Sequence, residues 1–383
     1  MFEALIGFVR DQYATNDFIP LHAPTFTGAE KQYVVETVES TFVSSVGAFV
    51  DRFERDMAVY TGSPRAVATV NGTAALHIGL LLAGVKPGDL VITQPLTFVA
   101  TCNAIAYCGA EPVFIDVDRH TLGLSPAAVE AWLHENAFRD IDGVCRTRTG
   151  GRVLRACVPM HTFGHPVELD ALLDVCSRWG LAMVEDAAES LGSLYKGQQT
   201  GTFGLIGTLS FNGNKIITTG GGGMILAGEA LAVRAKHLTT TAKVPHAFEY
   251  MHDEVGYNYR MPNINAALGC AQLERLEGFI ASKRLLAERY QAFFSETPLT
   301  FVVEPEGCRS NYWLNAVLCP DVQQRDALLE YSNRSGVMTR PIWQLMTHLP
   351  AYSHCLRGEL PNAQWLEERI VNLPSSVLPE HAV

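Results

Sequence analysis

The sequence predicts an α/β protein: a large domain on a mainly parallel sheet, followed by a smaller C-terminal α/β domain. Three observations predict it. Short apolar runs alternate with helical patterns through the first half of the chain, the pattern of repeated strand–helix units. After about residue 205 the rhythm changes to a glycine-rich strand pair and then to longer helical patterns. The length, 383 residues, is too great for one minimal core. We place 1–250 as an N-terminal arm with the large domain, and 251–383 as the smaller domain.

In chain order, Met1 to Arg10 has the period of a short amphipathic helix. Ala66 to Val70 reads as a buried strand, and Asn71-Gly72-Thr73 opens a helix through Leu82. Leu90 to Thr93 is the next strand, followed by a helix from Phe98 to Tyr107. Pro112 to Asp116, Leu154 to Pro159 and Leu181 to Glu185 are further strands, with helices at Pro126 to Glu135 and Glu168 to Trp179 between them. Gly207 to Phe211 and Gly223 to Leu226 are short strands around a glycine run. Two helical patterns follow, Asn263 to Glu277 and Ile280 to Phe294. Tyr312 to Pro341 reads strand–helix–strand, with Val337-Met338 in the second strand.

The 29 basic and 40 acidic residues leave a net charge of −11. That excess repels nucleic acid and anionic lipid, so any phosphate must be held locally, by loop amides and a few placed side chains. Nine cysteines, an odd count without a CxxC pair, argue against a zinc knuckle or disulfide framework. The longest apolar stretch, Ala74 to Val85, is too short to span a bilayer. The N-terminus has no basic leader or small-residue cleavage site. A soluble, cytoplasmic protein is expected. His161 and His165 have helical metal-ligand spacing, but Gly164 and Pro166 oppose a helix there, and no metal is expected.

Four segments concentrate chemistry. Asn71-Gly72-Thr73-Ala74-Ala75 lies at a strand-to-helix turn. It is either an ordinary N-cap or an anion site built from helix-start amides. In Glu185-Asp186-Ala187-Ala188-Glu189, Asp186 follows an apolar strand. Ligands of parallel sheets bind at such strand ends, although an Asp there can equally cap a helix. Ser210-Phe211-Asn212-Gly213-Asn214-Lys215 precedes a glycine-rich run. A lysine among glycines, threonines and apolar residues is suited to become a desolvated nucleophile. Gly256-Tyr257-Asn258-Tyr259-Arg260-Met261 offers an amide, a cation and two phenols, in a loop that ends at a helix start.

Taken in this order, the four segments resemble the DegT/DnrJ/EryC1/StrS sugar aminotransferases, pyridoxal-phosphate enzymes of fold type I. The resemblance spans nearly the whole chain. Within the group, Pro20 to Pro24, Phe42 to Gly47 and Phe211 to Gly220 resemble the branch acting on UDP-linked 4-keto sugars in legionaminic acid and bacillosamine synthesis. The resemblance implies an aspartate-aminotransferase-like fold with a mainly parallel sheet of about seven strands.

It also implies roles. Lys215 would join the cofactor through its amine and then move the proton. Asp186 would pair with the ring nitrogen and keep it protonated. Gly72, Thr73 and Ser210 match phosphate-binding positions, and Asn258 matches a position reaching the phosphate from a partner subunit, which implies a homodimer with shared sites. Phe98 and Ala188 would cover the two ring faces. Glu189 stands where the group often has Gln or His, and its role stays open. His22, Ser44, Ser45, Arg260, Arg340, Trp343 and His348 are candidates for the sugar nucleotide. The implied reaction takes the amine of glutamate, passes through pyridoxamine phosphate, and delivers it to the 4-keto carbon of a UDP-linked 6-deoxy-N-acetylhexosamine. The alternatives are a 3-keto or GDP-linked sugar of the perosamine type, or a non-catalytic cofactor-binding sensor.

Overall fold

A computed structural model describes residues 1–379. The chain opens with helices α1 (Phe2–Tyr13), α2 (Glu30–Glu39) and α3 (Ala48–Thr61). Strands and helices then alternate: β1 (Arg65–Thr69), α4 (Gly72–Leu82), β2 (Leu90–Thr93), α5 (Val99–Tyr107), β3 (Glu111–Phe114), α6 (Pro126–Asn136), β4 (Leu154–Val158), α7 (Leu169–Trp179), β5 (Ala182–Asp186), β6 (Ile206–Ser210), β7 (Gly223–Ala227) and α8 (Glu229–Thr239). The seven strands form one sheet in the order β1-β7-β6-β5-β4-β2-β3. Only β7 runs against the others. The expected mainly parallel seven-stranded sheet is therefore present, with strands that are nearly continuously apolar because both faces are covered.

The register explains why distant motifs meet. Thr69 pairs with Gly223, and Gly223 pairs with Ser210 on its other side. Asp186 lies one strand further on, beside Thr208. The carboxyl ends of β1, β5 and β6 thus share one edge of the sheet, where crossovers leave a crevice.

A single helix, α9 (Asn263–Phe294), 32 residues long, follows. It replaces the two helices expected there. Gly278 falls inside it on an exposed face; a lone glycine costs about 1 kcal/mol, and the apolar residues buried on both sides offset it. The C-terminal sheet contains β8 (Thr300–Phe301), β9 (Asn315–Leu318), β10 (Arg340–Pro341) and β11 (Ile370–Leu373), in the antiparallel order β8-β9-β11-β10. Helices α10 (Val322–Arg334) and α11 (Pro361–Glu367) accompany it. The strand expected at Val337-Met338 is displaced to Arg340-Pro341, because Val337 is engaged in an isolated bridge to Ile19.

Helix α1 does not pack with the large sheet. Leu5, Ile6 and Val9 join Leu286, Tyr290, Val317 and Val371 in one buried cluster, so the two ends of the chain share the C-terminal core. Among the described residues, no helix is long and apolar enough to cross a membrane. All nine cysteines are free thiols.

Candidate active site

At the turn after β1, the side chain of Asn71 accepts a hydrogen bond from the Ala74 amide at 2.8 Å. The turn is therefore a true N-cap. The cap leaves the amides of Gly72 and Thr73 at the positive end of α4, where no intrahelical acceptor exists. Close packing explains the glycines here. A Cβ on Gly72 would sit 2.9 Å from Ser210 Cβ, and one on Gly223 would sit 2.5 Å from the Asn71 backbone. The small residues bring α4 and Ser210 together as one wall.

Opposite that wall, Asp186 ends β5, buried. Its Oδ2 accepts from the Thr101 hydroxyl at 2.7 Å, and its Oδ1 from the Ala188 amide at 3.2 Å. Burial pushes this carboxyl upward, while those hydrogen bonds and the Lys215 charge pull it back. Lys215 Nζ lies 3.2 Å from Glu189 Oε1 and 4.0 Å from the centre of the Trp313 ring. The other Glu189 oxygen accepts the Phe163 amide at 3.0 Å. Burial raises the Glu189 carboxyl and Lys215 lowers it. Phe163 holds a left-handed backbone, φ 57°, a conformation unfavourable for a bulky residue.

These groups surround one cavity of about 380 Å³. The residues expected to hold the cofactor converge there: Gly72, Thr73, Phe98, Asp186, Ala188, Glu189, Ser210 and Lys215 all line it, and Trp343 closes one side. Trp343 packs on Phe163, ring centres 5.3 Å apart. Phe98, the residue before α5, is half exposed.

The other expected residues lie elsewhere. Asn258 Oδ1 accepts from the Arg260 guanidinium at 2.9 Å, and neither residue lines the cavity. Their loop runs beside β1 through a Thr69–Arg260 bridge. Ser44 and Ser45 sit in the loop between α2 and α3, outside the cavity. Arg340 lies on edge strand β10 and donates to Asn333 Oδ1 and the Thr339 carbonyl, both at 3.1 Å. His348 Nδ1 is 3.1 Å from Glu367 Oε1 on α11. Neither residue lines the cavity.

His22 is partly exposed overall, but both its ring nitrogens are buried without a partner among the described residues. Burial, then the charges of Lys283 and Lys215, push its imidazole well below the ordinary range. His161 and His165 do not form a metal pair. His161 Nε2 faces Glu185 Oε2 at 3.2 Å, while the ring nitrogens of His165 have no partner among the described residues.

Three further residues outside the four sequence motifs shape this site. Thr101 bonds Asp186, Trp313 covers Lys215, and Phe163 links Glu189 to Trp343. Thr101 and Phe163 read in the sequence only as helix and loop positions. An indole at 313, beside the strand expected from Tyr312, is the one signal that points to the site.

The sequence profile of the DegT/DnrJ/EryC1/StrS aminotransferases matches residues 24–381. The chain belongs to this family. Its relatives include GDP-perosamine synthase of Escherichia coli O157:H7, 36% identical over 359 residues, covering 94% of this chain and 93% of the relative. GDP-perosamine synthase of Caulobacter vibrioides is also 36% identical, over 363 residues, covering 93% of each. Among solved structures, the aminotransferase TlmJ from Streptoalloteichus hindustanus superposes with a TM-score of 0.83 at 32% identity, covering 93% of each chain.

The family's cofactor is pyridoxal phosphate, and this protein is a pyridoxal-phosphate-dependent aminotransferase. The cavity fits that group. It offers helix-start amides and a hydroxyl where a Cβ on Gly72 would intrude, a buried carboxylate, and an amine.

Proposed function

We propose that the protein transfers an amino group from glutamate to a keto carbon of a GDP-linked sugar. The observation that carries the chemistry is the placement of Lys215 and Asp186 in one cavity with the amides of Gly72 and Thr73. The relatives named for a GDP-linked amino sugar support the choice of acceptor. This reading takes the place of the UDP-linked sugar of the legionaminic acid and bacillosamine branch, which none of these relatives' names supports.

Bound pyridoxal phosphate supplies an electrophilic carbon and an electron-withdrawing ring. The protein's own residues do the rest. Lys215 would hold the group through its amine and carry a proton. Asp186, whose charged form the Thr101 hydroxyl and the Ala188 amide favour against burial, would pair with the ring nitrogen. Gly72, Thr73 and Ser210 bind the phosphate, Phe98 and Ala188 flank the ring, and Glu189 faces the Lys215 amine. Trp343 forms part of the sugar wall. A second copy of the chain brings Asn258 to the phosphate, and Arg260, Ser44 and Ser45 to the sugar diphosphate.

A panel of GDP- and UDP-linked 3-keto and 4-keto sugars, incubated with enzyme and glutamate, tests this by mass spectrometry. Replacement of the keto oxygen by an amine on a GDP-linked sugar is the expected result. Amine gain on UDP-linked sugars alone overturns the acceptor assignment. No gain on any sugar overturns the activity.

A further inference from the structure

Two groups touch the Lys215 amine, the Glu189 carboxylate and the Trp313 ring. They come from distant parts of the chain, one just after β5 and the other just before β9. One side chain fastens both. Asn311 is fully buried. Its Nδ2 donates to the carbonyls of Glu189 and Leu191, each at 2.9 Å, and its Oδ1 accepts from the Trp313 amide at 2.8 Å.

We propose that Asn311 is a positioning residue that fixes both neighbours of the Lys215 amine at once. The bond to Trp313, two residues on, is by itself an ordinary Asx turn. The two bonds to Glu189 and Leu191 are not local, since they span 122 and 120 residues. They also settle which end of the amide is which, because two carbonyls require a donor and one amide requires an acceptor.

The surroundings leave Asn311 a single place. Its backbone amide donates to Ser193 Oγ at 2.9 Å, and that hydroxyl donates to the Gly164 carbonyl at 2.7 Å. Gly164 has φ +100°, and a Cβ there would fall 1.9 Å from Asn311 Oδ1. The residue before it, Phe163, is the one whose amide Glu189 holds. A closed circuit therefore runs from Asn311 through Ser193, Gly164 and Phe163 to the Glu189 carboxylate, and returns through the Glu189 carbonyl.

The circuit gives Lys215 a fixed aim. With Glu189 and Trp313 anchored, its amine approaches the cavity from one direction. Without Asn311, the indole and the carboxylate can separate, and the amine gains freedom and solvent. The inference rests on the reading of Lys215 as the cofactor lysine.

The test uses Asn311→Asp, which keeps the acceptor for Trp313 but replaces the donor facing two carbonyls by an oxygen. Ser193→Ala is the milder second variant. Acylation of Lys215 by acetic anhydride in the cofactor-free protein is followed by peptide mass spectrometry, with the other lysines as internal reference. Relative labelling of Lys215 should rise about fivefold, the scale of one lost hydrogen bond, with a smaller rise in Ser193→Ala. In the cofactor-loaded proteins, the pH midpoint of the visible absorption band should move. A purely structural role would lower the melting temperature and leave both readouts unmoved, and that result overturns the proposal. Lys215→Ala separates the two claims. If it keeps the visible band, the reading of Lys215 fails. If it loses the band while Asn311→Asp matches wild type, only the role of Asn311 fails.

Discussion

Thr101 Oγ1 donates to Asp186 Oδ2 at 2.7 Å, out of contact with solvent. The same hydroxyl lies 3.0 Å from that of Thr97. Asp186 is buried, and burial alone drives a carboxyl toward its neutral form. Thr101 is the neighbour that most opposes this.

Thr101→Val keeps the shape and removes the donor, so Asp186 should take up a proton more easily. A raised carboxyl loses its charge as pH falls through the new value. The acid limb of the pH–rate profile should therefore move to higher pH, by about one unit. Thr101→Ser should restore it. An unmoved acid limb in Thr101→Val would remove Thr101 from this role.

Lys215→Ala should lose both the visible cofactor band and turnover. Asp186→Ala should still bind the cofactor but turn over slowly, since the ring nitrogen loses its anionic partner. Spectra and single-turnover rates measure the two effects separately. Normal transamination in either variant contradicts the assigned roles.

His165 sets a pH dependence of stability. Burial pushes its imidazole down to about 4. Its folded value lies below its unfolded one, so between roughly pH 6.5 and 4 the unfolded chain binds the extra proton. Stability should thus fall as pH drops through that window, by up to about 3 kcal/mol. His165→Leu should flatten this loss in denaturant melts at about pH 4.5 and 7. A wild-type pH slope in the variant would rule out His165 as its source.

Asn263 serves as a cap supplied from another helix. Its Oδ1 accepts from the Phe49 and Val50 amides at the start of α3, at 3.1 and 3.2 Å, and its Nδ2 donates to the Phe42 carbonyl at 2.7 Å. Asn263→Ala removes three bonds to the main chain, with the Val50 amide keeping the Gly47 carbonyl at 3.2 Å, and should cost about 2 kcal/mol, read by denaturant titration. A loss under about 0.5 kcal/mol would show that water replaces the cap.

Arg340→Ala and His348→Ala should leave kcat and KM within about twofold of wild type, because each side chain serves a partner outside the cavity. A tenfold rise in KM for the sugar nucleotide would return them to the site.

Much of this site is legible in the sequence because its motifs fall at the ends of apolar strands. The strand pattern puts Asp186, Ser210 and the turn at Gly72 each at a strand end, and the resemblance groups them, while the strand order that makes them neighbours appears only in the fold. Thr101 is not legible as a partner of Asp186. It reaches across 85 residues from the first turn of a helix, and nothing local distinguishes its hydroxyl from that of a helix-facing threonine. Asn311 is hidden for the same reason, its bonds to Glu189 and Leu191 spanning 122 and 120 residues. The merged helix α9 shows the converse: one glycine interrupts a pattern in the sequence without interrupting the helix.

That helix has a consequence for engineering. At about 1.5 Å per residue, its 32 residues extend about 48 Å without a joint. Its early turns pack on α2 and α3, and its late turns share a core with α1 and the C-terminal sheet. The two halves of this protein are therefore not interchangeable cassettes. A chimera that grafts a relative's C-terminal half at residue 251 would sever α1 from the core it completes. A workable graft would have to carry α1 and the far half of α9 along with the sheet.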